Sequence, residues 1–205
     1  MQYGVDVAST RLDDLDKRVL ADVRERIGRV EEVSVLDVGC GQGGLALVLT
    51  QAGAIVTALD IPDYSSAFQN ETAATIEFVQ ADVREWIQNN TVQFDMVVLQ
   101  RVLHYLPNHE AKKLLRALRD VTATLYLSVT GTTTAIASHY DKVHELIERR
   151  WGVLDTVGQE LFSITAPVCL YSKEELLELL KDCGWEVVWS RVSDFGNIKV
   201  VARGS

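Results

Sequence analysis

Between Val33 and Leu59 a β-branched run, a glycine cluster, an apolar helical stretch and a second β-branched run follow one another without a break. Val33-Ser34-Val35-Leu36-Asp37-Val38 ends at Gly39-Cys40-Gly41-Gln42-Gly43-Gly44. Leu45 to Ala52 has helical character and stops at Gly53, and Ala54 to Leu59 is the second strand. Two strands joined through a helix are parallel, because a tight hairpin has no room for the crossover. Parallel strands are covered by helices on both faces and read as nearly continuous apolar runs, as both of these do. The unit therefore predicts an α/β fold with a doubly wound, mostly parallel sheet.

The alternation continues downstream. Ile76–Ala81, Phe94–Leu99 and Leu125–Val129 read as further strands, with a weak helix within Tyr64–Ala74, a helical turn at Val83–Gln88 and a helix after Pro107 and Asn108. Upstream, Leu12, Leu15, Val19, Leu20, Val23 and Ile27 recur at helical spacing, with Thr10 and Asp13 as the capping signal. After Val129 the rhythm breaks. Ile136, Tyr140, Val143, Ile147 and Trp151 predict one amphipathic helix, while Gly152–Tyr171 has no period and is expected to be irregular or hairpin-like. Ser172 and Glu175 then form a capping box for a helix to Cys183, and Gly184 stands where a left-handed cap belongs. Glu186–Val192 and Ile198–Ala202 are joined by five residues, too few for a crossover, so they are antiparallel neighbours. With 205 residues and 47% hydrophobic content, the chain is expected to be one domain, residues 1–205. Residues 1–30 are its N-terminal extension and helix, and residues 131–171 an insertion.

Charge and cysteine content narrow the class of partner. Twenty basic against 29 acidic residues give a net charge of −9, and Lys112, Lys113, Arg116 and Arg119 lie on a helix rather than in a dense basic patch, which argues against nucleic acid. Three cysteines, Cys40, Cys169 and Cys183, have neither disulfide nor zinc spacing, which predicts a reducing, cytoplasmic setting and no metal. His139 and His144 are five apart, so they do not share a helical face as a metal pair would. Met1–Asp6 has no signal-peptide character, and the uncharged stretch Gly43–Leu59 is broken by Gln51 and Gly53, so no membrane span is expected.

The glycine loop lies at the carboxyl end of the first strand, where such sheets open into a ligand crevice. Asp60, 21 residues after Gly39, ends the second strand in position to accept hydrogen bonds from two ribose hydroxyls, which points to an adenosine-containing cofactor. Gly39, Gly41 and Gly44 also satisfy the dinucleotide pattern, so the loop alone leaves nicotinamide cofactors open. Asp37 argues the other way. A carboxylate just before the glycines repels a pyrophosphate and suits an ammonium. At the end of the third strand, Asp82 can accept from an adenine amino group while the Val83 N–H donates to the ring.

Taken together, Val35-Leu36-Asp37-Val38-Gly39-Cys40-Gly41-Gln42-Gly43, Leu59-Asp60-Ile61, Gln80-Ala81-Asp82-Val83 and Phe94-Asp95-Met96-Val97-Val98-Leu99-Gln100 resemble the successive motifs of the class I S-adenosylmethionine-dependent methyltransferases. Leu103-His104-Tyr105-Leu106-Pro107 is similar to the segment after the fourth strand in small-molecule members. The resemblance implies a seven-stranded sheet of order 3-2-1-4-5-7-6 with the last strand reversed. It also implies that Gly39, Gly41 and Gly43 approach the methionyl portion, Asp60 the ribose and Ile61 the adenine face, while Asp82 and Val83 hold the adenine edge and the Gln100 backbone holds the ammonium. Many relatives carry a Pro-Gly-Gly turn before the fifth strand, where this chain reads Arg119-Asp120-Val121-Thr122-Ala123-Thr124.

Methyl transfer from a sulfonium needs mainly positioning and exclusion of water, and a base only where the acceptor must lose a proton. His104 is the candidate base, Tyr105 beside it is a candidate acceptor contact, and His139 and Tyr140 are candidate acceptor contacts within a cover formed by residues 131–171. The acceptor expected is a small molecule. A nicotinamide-dependent oxidoreductase and a non-catalytic S-adenosylmethionine-binding regulatory subunit are the alternatives.

Overall fold

The computed structural model describes residues 2–3, 12–29, 32–69 and 75–204. Its strands are β1 (Ser34–Val38), β2 (Ile55–Asp60), β3 (Glu77–Gln80), β4 (Met96–Gln100), β5 (Thr124–Val129), β6 (Trp185–Val192) and β7 (Ile198–Gly204). They form one sheet in the order β3-β2-β1-β4-β5-β7-β6. β1 runs parallel to β2 on one side and β4 on the other, β2 runs parallel to β3, and β6 and β7 are antiparallel. Helices α1 (Asp14–Ile27), α2 (Gly44–Gln51), α3 (Val83–Asn89), α4 (Asn108–Leu118), α5 (Thr156–Phe162) and α6 (Lys173–Asp182) alternate with the strands. Burial follows strand position. β4 and β5 are apolar and buried almost end to end, whereas the edge strands β3 and β6 keep exposed positions. No helix among the described residues is long and apolar enough to cross a membrane.

The chain divides into two compact units, residues 6–99 with 117–126 and residues 1–5 with 100–116 and 127–205. In the first, Val35, Leu36 and Val38 of β1, Val56, Ala58 and Leu59 of β2, and Met96 to Leu99 of β4 are buried with the Leu15, Val19, Leu20 and Val23 face of α1. Burying one such side chain contributes about 1.5–3 kcal/mol, so this stripe is enough to dock α1. The cap of α1 is Asp13 with Asp16, a reciprocal box, in place of the expected Thr10, which lies outside the described residues. The turn before β5 closes without glycine: the Thr122 hydroxyl accepts from the Thr124 N–H and donates to its carbonyl, at 3.2 Å each. The expected helix within 64–74 is a single 3-10 turn, Ser65–Phe68, and residues 70–74 lie outside the described set.

In the second unit Ser172 and Glu175 cap α6 as expected, and Gly184 takes φ +82 after it. The amphipathic helix expected over 136–151 is absent. Two 3-10 turns, Ala135–His139 and Asp141–His144, are separated by Tyr140 in an extended conformation. The spacing of the apolar residues is helical, but distant partners override it. The Tyr140 hydroxyl donates to the Val168 carbonyl at 2.8 Å, Lys142 Nζ to the Trp151 carbonyl at 2.9 Å, and Arg150 Nη1 to the Leu170 carbonyl at 2.9 Å. Ile136 and Tyr140 are buried with Leu154, Ile164, Val168 and Leu170. The stretch expected to be irregular does contain an antiparallel bridge, Gly152 to Val168, but it also contains α5, capped by Asp155 through the Gly158 N–H at 2.6 Å. Thr156, Val157 and Gly158 are poor helix formers, which hid α5 from a periodicity reading.

Candidate functional site

The first unit builds its site from the loop between β1 and α2. Gly39, Gly41 and Gly43 all lie at positive φ, +73, +53 and +78, where an L side chain is strained. The Leu59 carbonyl accepts from the Gly39 and Cys40 N–H groups at 2.8 and 3.2 Å, and the Cys40 carbonyl accepts from Gly43 at 2.9 Å. The loop is thus a bare backbone ribbon whose left-handed turns only glycine takes cheaply. Gly43 caps α2 without a side-chain acceptor, so the first-turn N–H groups of that helix have no side-chain cap. A Cβ at Gly43 would lie 2.5 Å from the Phe68 ring, which stacks on Phe78. Phe68 was not singled out in the sequence, and no local pattern there signals its approach to the loop.

Asp60 joins this loop to the end of β2. Its Oδ2 accepts the Gly41 N–H at 2.8 Å and its Oδ1 the Ile61 N–H at 2.7 Å, while its carbonyl accepts from Ala81 at 2.9 Å. A carboxylate oxygen carries more than one acceptor direction, so Asp60 can serve the loop and a ligand hydroxyl together. Ile61 is 49% exposed beside it, an apolar face open to a planar ring. Asp37 is buried at β1 beneath the glycines. Asp82 caps α3, accepting the Arg84 N–H at 2.9 Å and the Arg84 guanidinium at 2.5–3.2 Å. That pairing holds its carboxyl below the usual range against the opposing effect of burial. Val83 is buried as the first residue of α3. The structure thus brings Asp37, the three glycines, Asp60 and Ile61 to adjoining strand ends, with Asp82 and Val83 at the end of β3.

The second unit starts at the end of β4 with Gln100 and the 3-10 turn Leu103–Tyr105. His104 has no exposed surface. Its Nδ1 lies 3.4 Å from the Thr130 N–H and its Nε2 3.3 Å from the Thr130 hydroxyl, while its carbonyl accepts from Cys169 at 2.7 Å. Burial, aided by the Arg101 charge, holds the imidazole well below the ordinary histidine range, so it is neutral at physiological pH. Tyr105 donates to the Tyr3 carbonyl at 2.6 Å and packs edge-on against Tyr3, and burial pushes its phenol up to about 12 although Arg101 acts in the opposite direction. His139 faces the Asp155 carboxylate at 3.2 Å and the Phe162 ring, and Tyr140 is buried with its hydroxyl on Val168. Arg101, which sequence reasoning passed over, stands directly after Gln100 in a left-handed backbone conformation.

Known proteins similar to this chain are described as methyltransferases. Residues 35–124 match the family model described as a methyltransferase domain. Ubiquinone biosynthesis O-methyltransferase of Actinobacillus pleuropneumoniae is 33% identical over 82 residues, 36% of this chain and 35% of that protein. The Escherichia coli protein of the same description is 32% identical over 96 residues, 45% of this chain and 40% of that protein. The matched stretch thus spans well under half the length of either relative. Among solved structures, magnesium protoporphyrin IX methyltransferase from Synechocystis with bound S-adenosylhomocysteine aligns with TM-score 0.66 and 21% identity, over 93% of this chain and 82% of that one. The 1,6-didemethyltoxoflavin-N1-methyltransferase of Burkholderia thailandensis aligns with TM-score 0.69 and 18% identity, over 98% and 81%.

Proposed function

We propose that this chain, which has the fold of the class I S-adenosylmethionine-dependent methyltransferases and their domain over residues 35–124, transfers a methyl group from S-adenosylmethionine to a small-molecule acceptor. The observation that carries the reading is the glycine ribbon tied through the Gly41 N–H to Asp60, with Asp37 buried at β1. A zwitterionic methionyl tail fits that charge pattern. Its ammonium faces Asp37, while the glycines leave room for a tail that a Cβ would exclude. Asp60 takes the ribose hydroxyls, Ile61 covers the adenine, and Asp82 with Val83 meets its edge. A pyrophosphate would meet the Asp37 carboxylate instead, which disfavours a nicotinamide cofactor.

The bound cofactor supplies a methyl carbon already activated on a sulfonium. What the protein adds is orientation of the acceptor and exclusion of water. His104 is assigned the proton of an O–H or N–H acceptor, and because its ring is fully buried with both nitrogens at Thr130, it takes that proton only where the acceptor displaces Thr130 from the ring. Residues 131–171 form the acceptor-side cover, with Tyr105, His139 and Tyr140 shaping it. Three buried cysteine thiols suit a reducing, cytoplasmic setting. The test is incubation with methyl-labelled cofactor and mixtures of phenols, acids and amines. Label moving to a small molecule with S-adenosylhomocysteine released supports the reading. Cofactor binding without transfer to any acceptor would favour the regulatory alternative.

A further inference from the structure

Arg101 is one of two non-glycine residues at positive φ among those described, at +58, and it sits immediately after the last residue of β4. Its N–H donates to the Ser128 carbonyl at 2.8 Å, so the strained conformation is fixed by a hydrogen bond to β5. Strain of this kind persists where the surrounding structure over-determines it, and it clusters at ligand-binding positions. The side chain is half-buried. Its Nε is buried and makes no hydrogen bond among the described residues, and no described carboxylate lies within ion-pair distance of the guanidinium.

Two described neighbours that feel this charge are neutral. They are the phenol of Tyr105, whose hydroxyl is given to Tyr3, and the imidazole of His104, whose nitrogens face Thr130. A guanidinium partly withdrawn from water beside two neutral rings has lost hydration without gaining a counter-ion among the described residues. A carboxylate meeting the terminal nitrogens restores the charge balance, in the two-pronged geometry that suits a guanidinium. Resting on the methyltransferase reading of the same chain, we propose that Arg101 binds a carboxylate on the methyl acceptor and so selects acidic acceptors over neutral ones. Tyr105, packed beside it, presents the ring face that orients the acceptor.

Titration calorimetry with matched pairs tests this: 3,4-dihydroxybenzoate, 4-hydroxybenzoate and a short-chain hydroxy acid, each against its methyl ester, with S-adenosylhomocysteine titrated separately. The wild-type protein is expected to bind at least one acid about tenfold more tightly than its ester, and Arg101→Met to bind the two alike with its S-adenosylhomocysteine affinity unchanged. Arg101→Lys, which keeps the charge and loses the fork, should fall between. If the methionine variant does not fold, the lysine variant and the wild-type acid-to-ester ratio decide the matter. Equal binding of acid and ester in every wild-type pair overturns the proposal, as does an Arg101→Met protein that still prefers the acid. Retained acid preference without S-adenosylhomocysteine binding would sink the methyltransferase reading and leave the carboxylate site standing.

Discussion

The glycine loop and the segment 131–171 are held in place by different means. The loop is fixed through its backbone: left-handed glycines, N–H groups given to the Leu59 and Cys40 carbonyls, and one carboxylate, Asp60, closing the ribbon. The segment is fixed by side chains reaching distant carbonyls. Arg150 alone bonds to the Glu145 and Leu170 carbonyls and, at 2.6 and 2.8 Å, to the Glu175 carboxylate. A backbone-defined site tolerates side-chain exchange and is broken by a Cβ. A side-chain-defined segment is the reverse, and its specificity can change while the loop stays constant.

The largest expected effect strikes the segment. Arg150→Met leaves Glu175 and two carbonyls without their partner and should cost about 3 kcal/mol in denaturant unfolding, with S-adenosylhomocysteine affinity retained. A loss under about 1 kcal/mol would mean that the segment has other anchors. The pair also gives a pH signature. Burial raises the Glu175 pKa, but the hydrogen bonds from Arg150 and the Ser172 N–H outweigh it, so the folded value lies below the ordinary 4.5. Its stabilisation is complete above that value and is lost as the pH falls through the lower, folded one. The methionine variant should lack most of that acid sensitivity.

His104→Asn comes next. With an acceptor that must lose a proton, the rate should drop about a hundredfold, near 2.7 kcal/mol, with cofactor affinity intact. Because burial lowers the His104 pKa, the unfolded chain takes up a proton that the native state refuses. Wild-type stability should therefore be complete above about pH 6.5 and decline below it, and the asparagine variant should decline less. Normal turnover together with an unaltered pH–stability curve would leave His104 with a packing role only.

Gly43→Ala is expected to cost about 1–2 kcal/mol, from φ +78 and from the Phe68 ring 2.5 Å from the new Cβ. Phe68→Leu should recover part of it in a double-mutant cycle, and complete additivity would show that the ring yields freely. The smallest effect belongs to Trp151, which is 40% exposed. Trp151→Ala should change stability by less than about 0.5 kcal/mol, yet raise the acceptor Michaelis constant if the cover contacts the acceptor. Wild-type acceptor kinetics would assign the segment a structural role.

This contrast also explains what could be read in the chain. β1, α2, β2 and the β6–β7 pair were legible because short-range rules build them: apolar runs, glycines where φ turns positive, and a link too short for a crossover. The capping box at Ser172 and Glu175 was equally local. Residues 136–151 misled because their apolar spacing is helical while Tyr140, Lys142 and Arg150 bond to carbonyls that periodicity cannot foresee. In the candidate site, the strand-end positions of Asp37, Asp60 and Asp82 followed from the motifs. That Arg84 occupies the Asp82 carboxylate, that Phe68 leans on Gly43 and that Arg101 turns left-handed depend on side-chain packing and could not be read from spacing.

The central claim is that the glycine ribbon and Asp60 hold S-adenosylmethionine. The most direct test is calorimetric titration of the wild-type protein and Asp60→Ala with S-adenosylmethionine, S-adenosylhomocysteine and NADH. The account predicts one site for the two adenosyl ligands, none for NADH, and an affinity weakened by about 1–3 kcal/mol in the alanine variant, the usual range for hydrogen bonds to a charged acceptor. Binding of NADH alone, or an affinity for S-adenosylhomocysteine indifferent to the loss of Asp60, would contradict it.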